Sequence, residues 1–93
     1  MLGNALAGGP GSPVAVVQLK ARVVESGSNE DLSGVRVTVP DFNIEVYTDK
    51  NGNFELPMPV PSDVIIQFSF VSYEPLSLPA SAVVEGTVNM QPH

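Results

Sequence analysis

The sequence contains no cysteine, only one histidine, and only four basic residues against ten acidic ones. Without cysteine, neither a disulfide framework nor a thiolate metal site can form. The net charge of −6 repels phosphate backbones and anionic membrane surfaces, so we expect no nucleic-acid partner. No apolar run approaches the roughly 18–20 residues of a membrane-spanning helix, so we expect no insertion into a membrane.

The scarcity of histidine also argues against an enzyme. The one histidine is His93, the last residue, so no serine and histidine triad can be assembled around a held imidazole. Asp41 and Glu45 could in principle serve as an acid and a base, but both fall at predicted turn or outward positions, where a carboxylate is simply solvated. We therefore predict no catalytic residues, no cofactor and no metal ion.

Residues 1–13 contain four glycines and two prolines with little apolar periodicity, which predicts a flexible leader. Ala5-Leu6-Ala7 has the form of a signal-peptidase site, but no basic region and apolar stretch precede it. A chain of 93 residues can bury one modest core, so we interpret residues 14–91 as one domain and residues 92–93 as a C-terminal stub.

From Val14 onward the apolar residues recur at every second position, as they do when one face of a strand meets a core and the other meets water. This alternation predicts short strands over residues 17–23, 35–39, 42–48, 53–56, 64–71, 76–78 and 84–91.

The faces of individual strands follow from the same alternation. Phe42, Ile44 and Val46 share one face of the third strand, which leaves Tyr47 exposed on the other. The segment 64–71 is the most apolar and is predicted to be a central strand. In the last strand, residues 84, 88 and 90 share the inward face.

The segment Asp49-Lys50-Asn51-Gly52 has the residues of a type I turn closed by a left-handed glycine. It predicts a hairpin that returns the chain into residues 53–56. Asp49, Asn51 and Asn53 also resemble the first half of a calcium loop, but the glutamate required at its twelfth position is replaced by Val60, so the hairpin is preferred.

Residues 56–61 carry proline at every second position. Such a segment is either a sheet edge blunted against pairing or a polyproline-like connector, and we favour the connector. Six to seven short strands with closely spaced turns, and no amphipathic helix of useful length, predict an all-β fold. The expected architecture is a two-sheet antiparallel β-sandwich, transthyretin-like or immunoglobulin-like.

Three strings carry a family resemblance: residues 32–37 (LSGVRV), 48–56 (TDKNGNFEL) and 68–74 (FSFVSYE). In order and spacing they resemble three successive signatures of the carboxypeptidase regulatory-like domain, a transthyretin-like sandwich, over about residues 14–91. Ala21 and Ser72 depart from the pattern, since the family usually has glycine there. The resemblance singles out as structural signature residues Gly34, Asp49, Gly52, Phe54, Phe68, Phe70 and Tyr73.

Members of this family are accessory modules of metallocarboxypeptidases, of TonB-dependent outer-membrane receptors and of surface or adhesive proteins. The resemblance therefore implies a non-catalytic structural or interaction module of a bacterial envelope protein, in the periplasm or at the cell surface. Its expected partner is another protein or the host polypeptide. Tyr47 is the best single candidate for the contact, because tyrosine combines a large area with a polar tip.

Two alternatives stay open. The chain could be a free-standing component of a virion or injection machine, made in the cytosol and docked through its leader. It could also be an adhesin stalk domain with an isopeptide bond between Lys20 and Asn89, although strand parity places Lys20 on the water face.

Overall fold

The computed structural model describes residues 15–84 and 86–93. Within them, backbone pairing follows the predicted alternation and forms strands that are short, from two to six residues. The strands are β1 (Val16–Val17), β2 (Lys20–Glu25), β3 (Arg36–Val39), β4 (Ile44–Tyr47), β5 (Asn53–Glu55), β6 (Val60–Pro61), β7 (Ile65–Ser69), β8 (Leu76–Pro79) and β9 (Thr87–Met90). A single 3-10 turn spans Pro40–Phe42, and a one-turn helix, α1, spans Ala80–Val83.

The strands form two main sheets, with the orders β4-β3-β7-β8 and β5-β2-β9, and a small β1-β6 pair. The four-stranded sheet is antiparallel throughout. The predicted all-β sandwich is confirmed, with one difference in detail: β2 and β9 run parallel, with Val23 opposite Val88. The predicted central strand is also confirmed, because β7 lies between β3 and β8.

Inward residues of both main sheets make one apolar core. Phe54 of β5 and Phe68 of β7 meet across the sheets edge to face, with ring centroids 5.9 Å apart. Such aromatic pairs add to the stability that burial alone provides. The other buried residues of the core are Leu19, Ala21, Val23, Leu32, Val35, Val37, Val39, Ile44, Leu56, Val60, Val64, Ile66, Ala80, Val83, Val88 and Met90.

Two predicted inward positions are wrong. Phe42 is exposed because Pro40 cannot continue the ladder of β3, and the chain makes a 3-10 turn before β4 begins at Ile44. Val84 is exposed because α1 intervenes before β9, so the period of two does not extend back from Thr87. Only Val88 and Met90 of that predicted face are buried.

The turn at residues 49–52 is confirmed, but the predicted hairpin is wrong. The Gly52 N–H donates to the Asp49 carbonyl (2.9 Å), and Gly52 has φ +80°. The strands on either side belong to different sheets, since β4 pairs with β3 and β5 pairs with β2. The turn therefore carries the chain from one layer of the sandwich to the other.

The buried Thr48 holds the start of this crossing in place. Its hydroxyl donates to the Leu32 carbonyl (2.6 Å) and accepts from the Val35 N–H (2.9 Å). Both partners precede β3 in the chain, so the threonine joins the end of β4 to the segment that leads into its neighbour. A buried hydroxyl needs such partners, because an unpaired one would cost stability.

The proline-rich segment is more ordered than a connector. Its end, Val60–Pro61, pairs antiparallel with Val16–Val17, and Val60 is completely buried. The interpretation of the whole segment as a connector is therefore wrong at this end. The predicted leader, residues 1–13, lies outside the described residues. In the part of the chain that is described, no helix has the length and apolar character to cross a membrane.

Candidate interaction surface

An exposed polar cluster lies on the outer face of β4 and β3. Tyr47 is 56% exposed, which confirms its predicted exposure. The Tyr47 hydroxyl donates to Glu45 Oε2 (2.6 Å), and Arg36 Nη2 donates to Glu45 Oε1 (3.3 Å). Arg36 and Tyr47 are directly opposite each other in the ladder, so the strand register brings the three side chains together.

Hydrogen bonding sets the charge state of this cluster. The bonds from Tyr47 and then from Arg36 lower the pKa of Glu45, which keeps its carboxylate ionised. The bond to that carboxylate raises the pKa of Tyr47, so its hydroxyl stays protonated and remains a donor. The cluster therefore presents the Tyr47 ring in a fixed orientation, held by an ionised Glu45 that is already paired with Arg36.

A groove lies beside the cluster, where the edge of one sheet meets the edge of the other. Tyr47 of β4 lines it from one sheet, and Phe54 of β5, which is itself buried, lines it from the other. The turn from β4 to β5 brings these two edges together, which is why residues of both sheets line the groove. The remaining lining residues are Lys20, Asp49, Asn53 and Glu55.

The signature residues lie in several separate places. Phe54 and Phe68 are in the core, while Asp49 and Gly52 shape the turn between the layers. The Asp49 carboxylate accepts the N–H groups of Asn51 and Asn53, each at 2.9 Å. This arrangement is an Asx turn, in which the side chain replaces a backbone acceptor.

The other signature residues meet at one end of the four-stranded sheet. Phe70 is half-buried and packs against the core, and its ring stacks on Tyr73 with centroids 5.5 Å apart. Gly34, with φ +84°, faces the Phe70 ring. The Tyr73 hydroxyl donates to Glu25 Oε2 (2.8 Å) and ties this end to β2. Each signature residue therefore has a structural role, and the set forms no single pocket.

Most of the chain matches a known protein family. The model of the CarboxypepD_reg-like domain matches residues 19–91. The chain belongs to this family. The matched range covers every described strand from β2 to β9, so the family resemblance and the fold predicted from the sequence are both confirmed. No curated protein matches the chain.

CarboxypepD_reg-like domains are non-catalytic β-sandwich modules. The structure places both carboxylates that were considered for acid and base chemistry at the surface. Asp41 lies exposed in the 3-10 turn, and Glu45 is exposed and held by Tyr47 and Arg36. Among residues 15–84 and 86–93, no three metal-ligating side chains lie close enough together to hold an ion.

The structure does not bring together the residues of the isopeptide alternative. Lys20 lies opposite Glu55, whereas Asn89 lies opposite Val24 in the parallel ladder. Because Lys20 and Val24 are four residues apart in β2, about 13 Å of strand separates the two positions. Both side chains also belong to exposed residues.

One contact of this CarboxypepD_reg-like domain had no signal in the sequence. His93 Nδ1 lies 2.7 Å from Glu74 Oε2, and the His93 N–H donates to the Ser72 carbonyl (2.9 Å). The Glu74 N–H donates in turn to the Gln91 carbonyl (2.8 Å). Residues 92–93, interpreted as a stub, are therefore attached to the loop between β7 and β8. No local pattern relates two residues so far apart in the chain.

Proposed function

We propose that this CarboxypepD_reg-like domain is a structural and protein-interaction module of a bacterial envelope or surface protein. The observation that carries the proposal is the exposed Tyr47, whose hydroxyl is oriented by Glu45 and whose ring borders a groove. Tyrosine is enriched where proteins bind each other, because it supplies contact area with little loss of conformational entropy.

The distribution of the other aromatic residues supports this interpretation. Phe54 and Phe68 pack in the core, and Phe70 and Tyr73 stack on each other. Phe42, the remaining aromatic residue, is less exposed than Tyr47. Tyr47 makes no comparable aromatic contact among the described residues, and its ring is left largely to solvent. A contact with another protein is the role that this geometry supports best.

Photo-crosslinking in the native assembly tests the proposal. A photoreactive amino acid is placed at Tyr47 and, as a matched control, at the exposed Ser77 of β8, at the other edge of the same sheet. We expect position 47 to crosslink to another protein or domain and position 77 not to do so. The proposal is wrong if Tyr47 stays solvent-accessible in the assembly while a different surface is covered.

The proposed location is tested separately by cell fractionation and by the complete gene. Recovery with the envelope, with a signal peptide and a barrel or peptidase encoded in the same gene, would support an accessory domain. Recovery with a virion or injection machine would favour the alternative of an assembly component.

A further inference from the structure

The outer edge of β4 carries backbone groups that no strand of the described residues pairs with. β4 is the first strand in the order β4-β3-β7-β8, so only one side of it is bonded. The Thr48 N–H donates to the Val35 carbonyl (3.0 Å), which sets the alternation of the β3 and β4 ladder. In an antiparallel pair every second residue bonds to the neighbour. The backbone N–H and C=O groups of Ile44 and Val46 therefore point toward β3, and those of Glu45 and Tyr47 point away from it, toward the open edge.

Two other edges of the sandwich are blocked over part of their length. β8 ends at Pro79, which has no N–H, and continues directly into α1. In β5, the N–H of Asn53 donates to the Asp49 carboxylate, and the Asn53 carbonyl accepts from the Asp49 N–H (2.8 Å). β4 contains no proline, and the charge of Glu45 is balanced by Arg36. Its edge is therefore suited to accept another strand.

The charges identify the kind of strand that fits. The groove beside β4 contains the carboxylates of Asp49 and Glu55 but only one ammonium group, that of Lys20. The whole chain has a net charge of −6, so two copies repel each other. Opposite charges across a strand pair are stabilising, which favours a basic occupant over a second copy.

We propose that an extended basic segment of a partner protein adds to β4 as a fifth strand of the four-stranded sheet. Its backbone pairs with Glu45 and Tyr47, and its lysine or arginine side chains lie against Asp49 and Glu55 in the groove. This inference rests on the proposed function, because it specifies how a module that binds protein makes its contact.

Amide hydrogen exchange on the whole chain tests the pairing. The probe is a capped nonapeptide of alternating valine and lysine, at up to about 1 mM. We expect exchange of the Glu45 and Tyr47 amides to slow by about tenfold or more, since they gain partners. The Val46 amide, already bonded to β3, should not change. A peptide with glutamate in place of lysine should give no protection.

Two variants at one position separate backbone pairing from side-chain contact. Glu45→Pro removes the outward N–H, and an edge strand tolerates proline where the N–H faces solvent. Glu45→Thr removes the same carboxylate and keeps the N–H. We expect Glu45→Pro to weaken binding of the basic peptide about tenfold relative to Glu45→Thr. If Glu45→Pro does not fold, the exchange experiment on the unmodified chain decides.

Several outcomes would overturn the inference. They are equal binding by the two variants, no protection at Glu45 and Tyr47, or protection at β9, the far edge of the other sheet. If the Glu45 and Tyr47 amides are protected in the free chain and lose this protection when residues 1–14 are deleted, that segment is the strand that pairs with β4. If the protection of these amides rises with protein concentration, a second copy of the chain pairs with β4. Crosslinking from Tyr47 without strand pairing would refute this inference alone, whereas a Tyr47 left uncovered in the assembly refutes the proposed function.

Discussion

Replacement of Gly52 by alanine probes the crossing between the two layers. Gly52 has φ +80°, a left-handed conformation that residues with a side chain adopt at a cost. A Cβ built there would lie 2.7 Å from the carbonyl oxygen of Val23 and 3.3 Å from the Leu32 nitrogen. Both atoms are backbone, so no flexible side chain can move to make room.

The expected loss combines two effects. The left-handed conformation costs about 1–2 kcal/mol for a residue other than glycine. To relieve the clash, β2 must shift at Val23, whose N–H donates to the Gly52 carbonyl (2.8 Å) and whose carbonyl accepts from Leu32 (3.0 Å). Weakening one such buried hydrogen bond costs about 1–3 kcal/mol. We therefore expect Gly52→Ala to lower the free energy of unfolding by about 2–5 kcal/mol.

Gly27→Ala is the matched control, because Gly27 also has positive φ (+98°) but has nothing within 4 Å of a built Cβ. It should show the conformational cost of about 1–2 kcal/mol and no more. Urea denaturation of the unmodified chain and both variants measures the difference, provided that the m-values agree. Equal losses in the two variants would show that the contact with Val23 does not constrain the turn.

Three further predictions concern the core, a turn and pH. Phe68→Ala should lower the free energy of unfolding by about 3–5 kcal/mol, since the ring is buried, and an unchanged denaturation midpoint would contradict the strand register. Ser72→Gly should raise stability by about 0.5–1 kcal/mol in the same assay, because Ser72 has φ +69°, and a loss would show that its side chain is needed. Hydrogen bonds from Ser28 and Tyr73 lower the pKa of Glu25 in the folded chain. On acidification the Glu25 carboxylate is therefore protonated first in the unfolded chain, and its contribution to the stability of the fold is lost as pH falls through the folded pKa. Tyr73→Phe should raise the Glu25 pKa toward its ordinary value and weaken this acid dependence, and an unchanged carboxyl titration by NMR would refute the bond.

The local features of this domain could be predicted from the sequence because they depend on near neighbours. Alternation in residues 35–39 and 64–68 correctly separates buried from exposed side chains, since successive residues of any strand point to opposite faces. The turn at residues 49–52 follows from the conformations that asparagine and glycine permit. The exposure of Tyr47 followed from its position in β4 alone, because it lies on the opposite face of the strand from Ile44 and Val46.

Only the tertiary structure decided which strands pair and how the surface is assembled. An alternating pattern shows which face of a strand is apolar and says nothing about its neighbour, so the parallel pairing of β2 with β9 had no local signal. The turn at 49–52 is compatible with a hairpin and with a crossing between the two sheets. Packing in the core favours the crossing, because it places Phe54 against Phe68 of the opposite sheet. The groove beside Tyr47 exists because the chain crosses between the sheets at this turn. The contact of His93 with Glu74 likewise requires two distant segments to meet. Tertiary packing brings them together, and no local sequence preference encodes the contact.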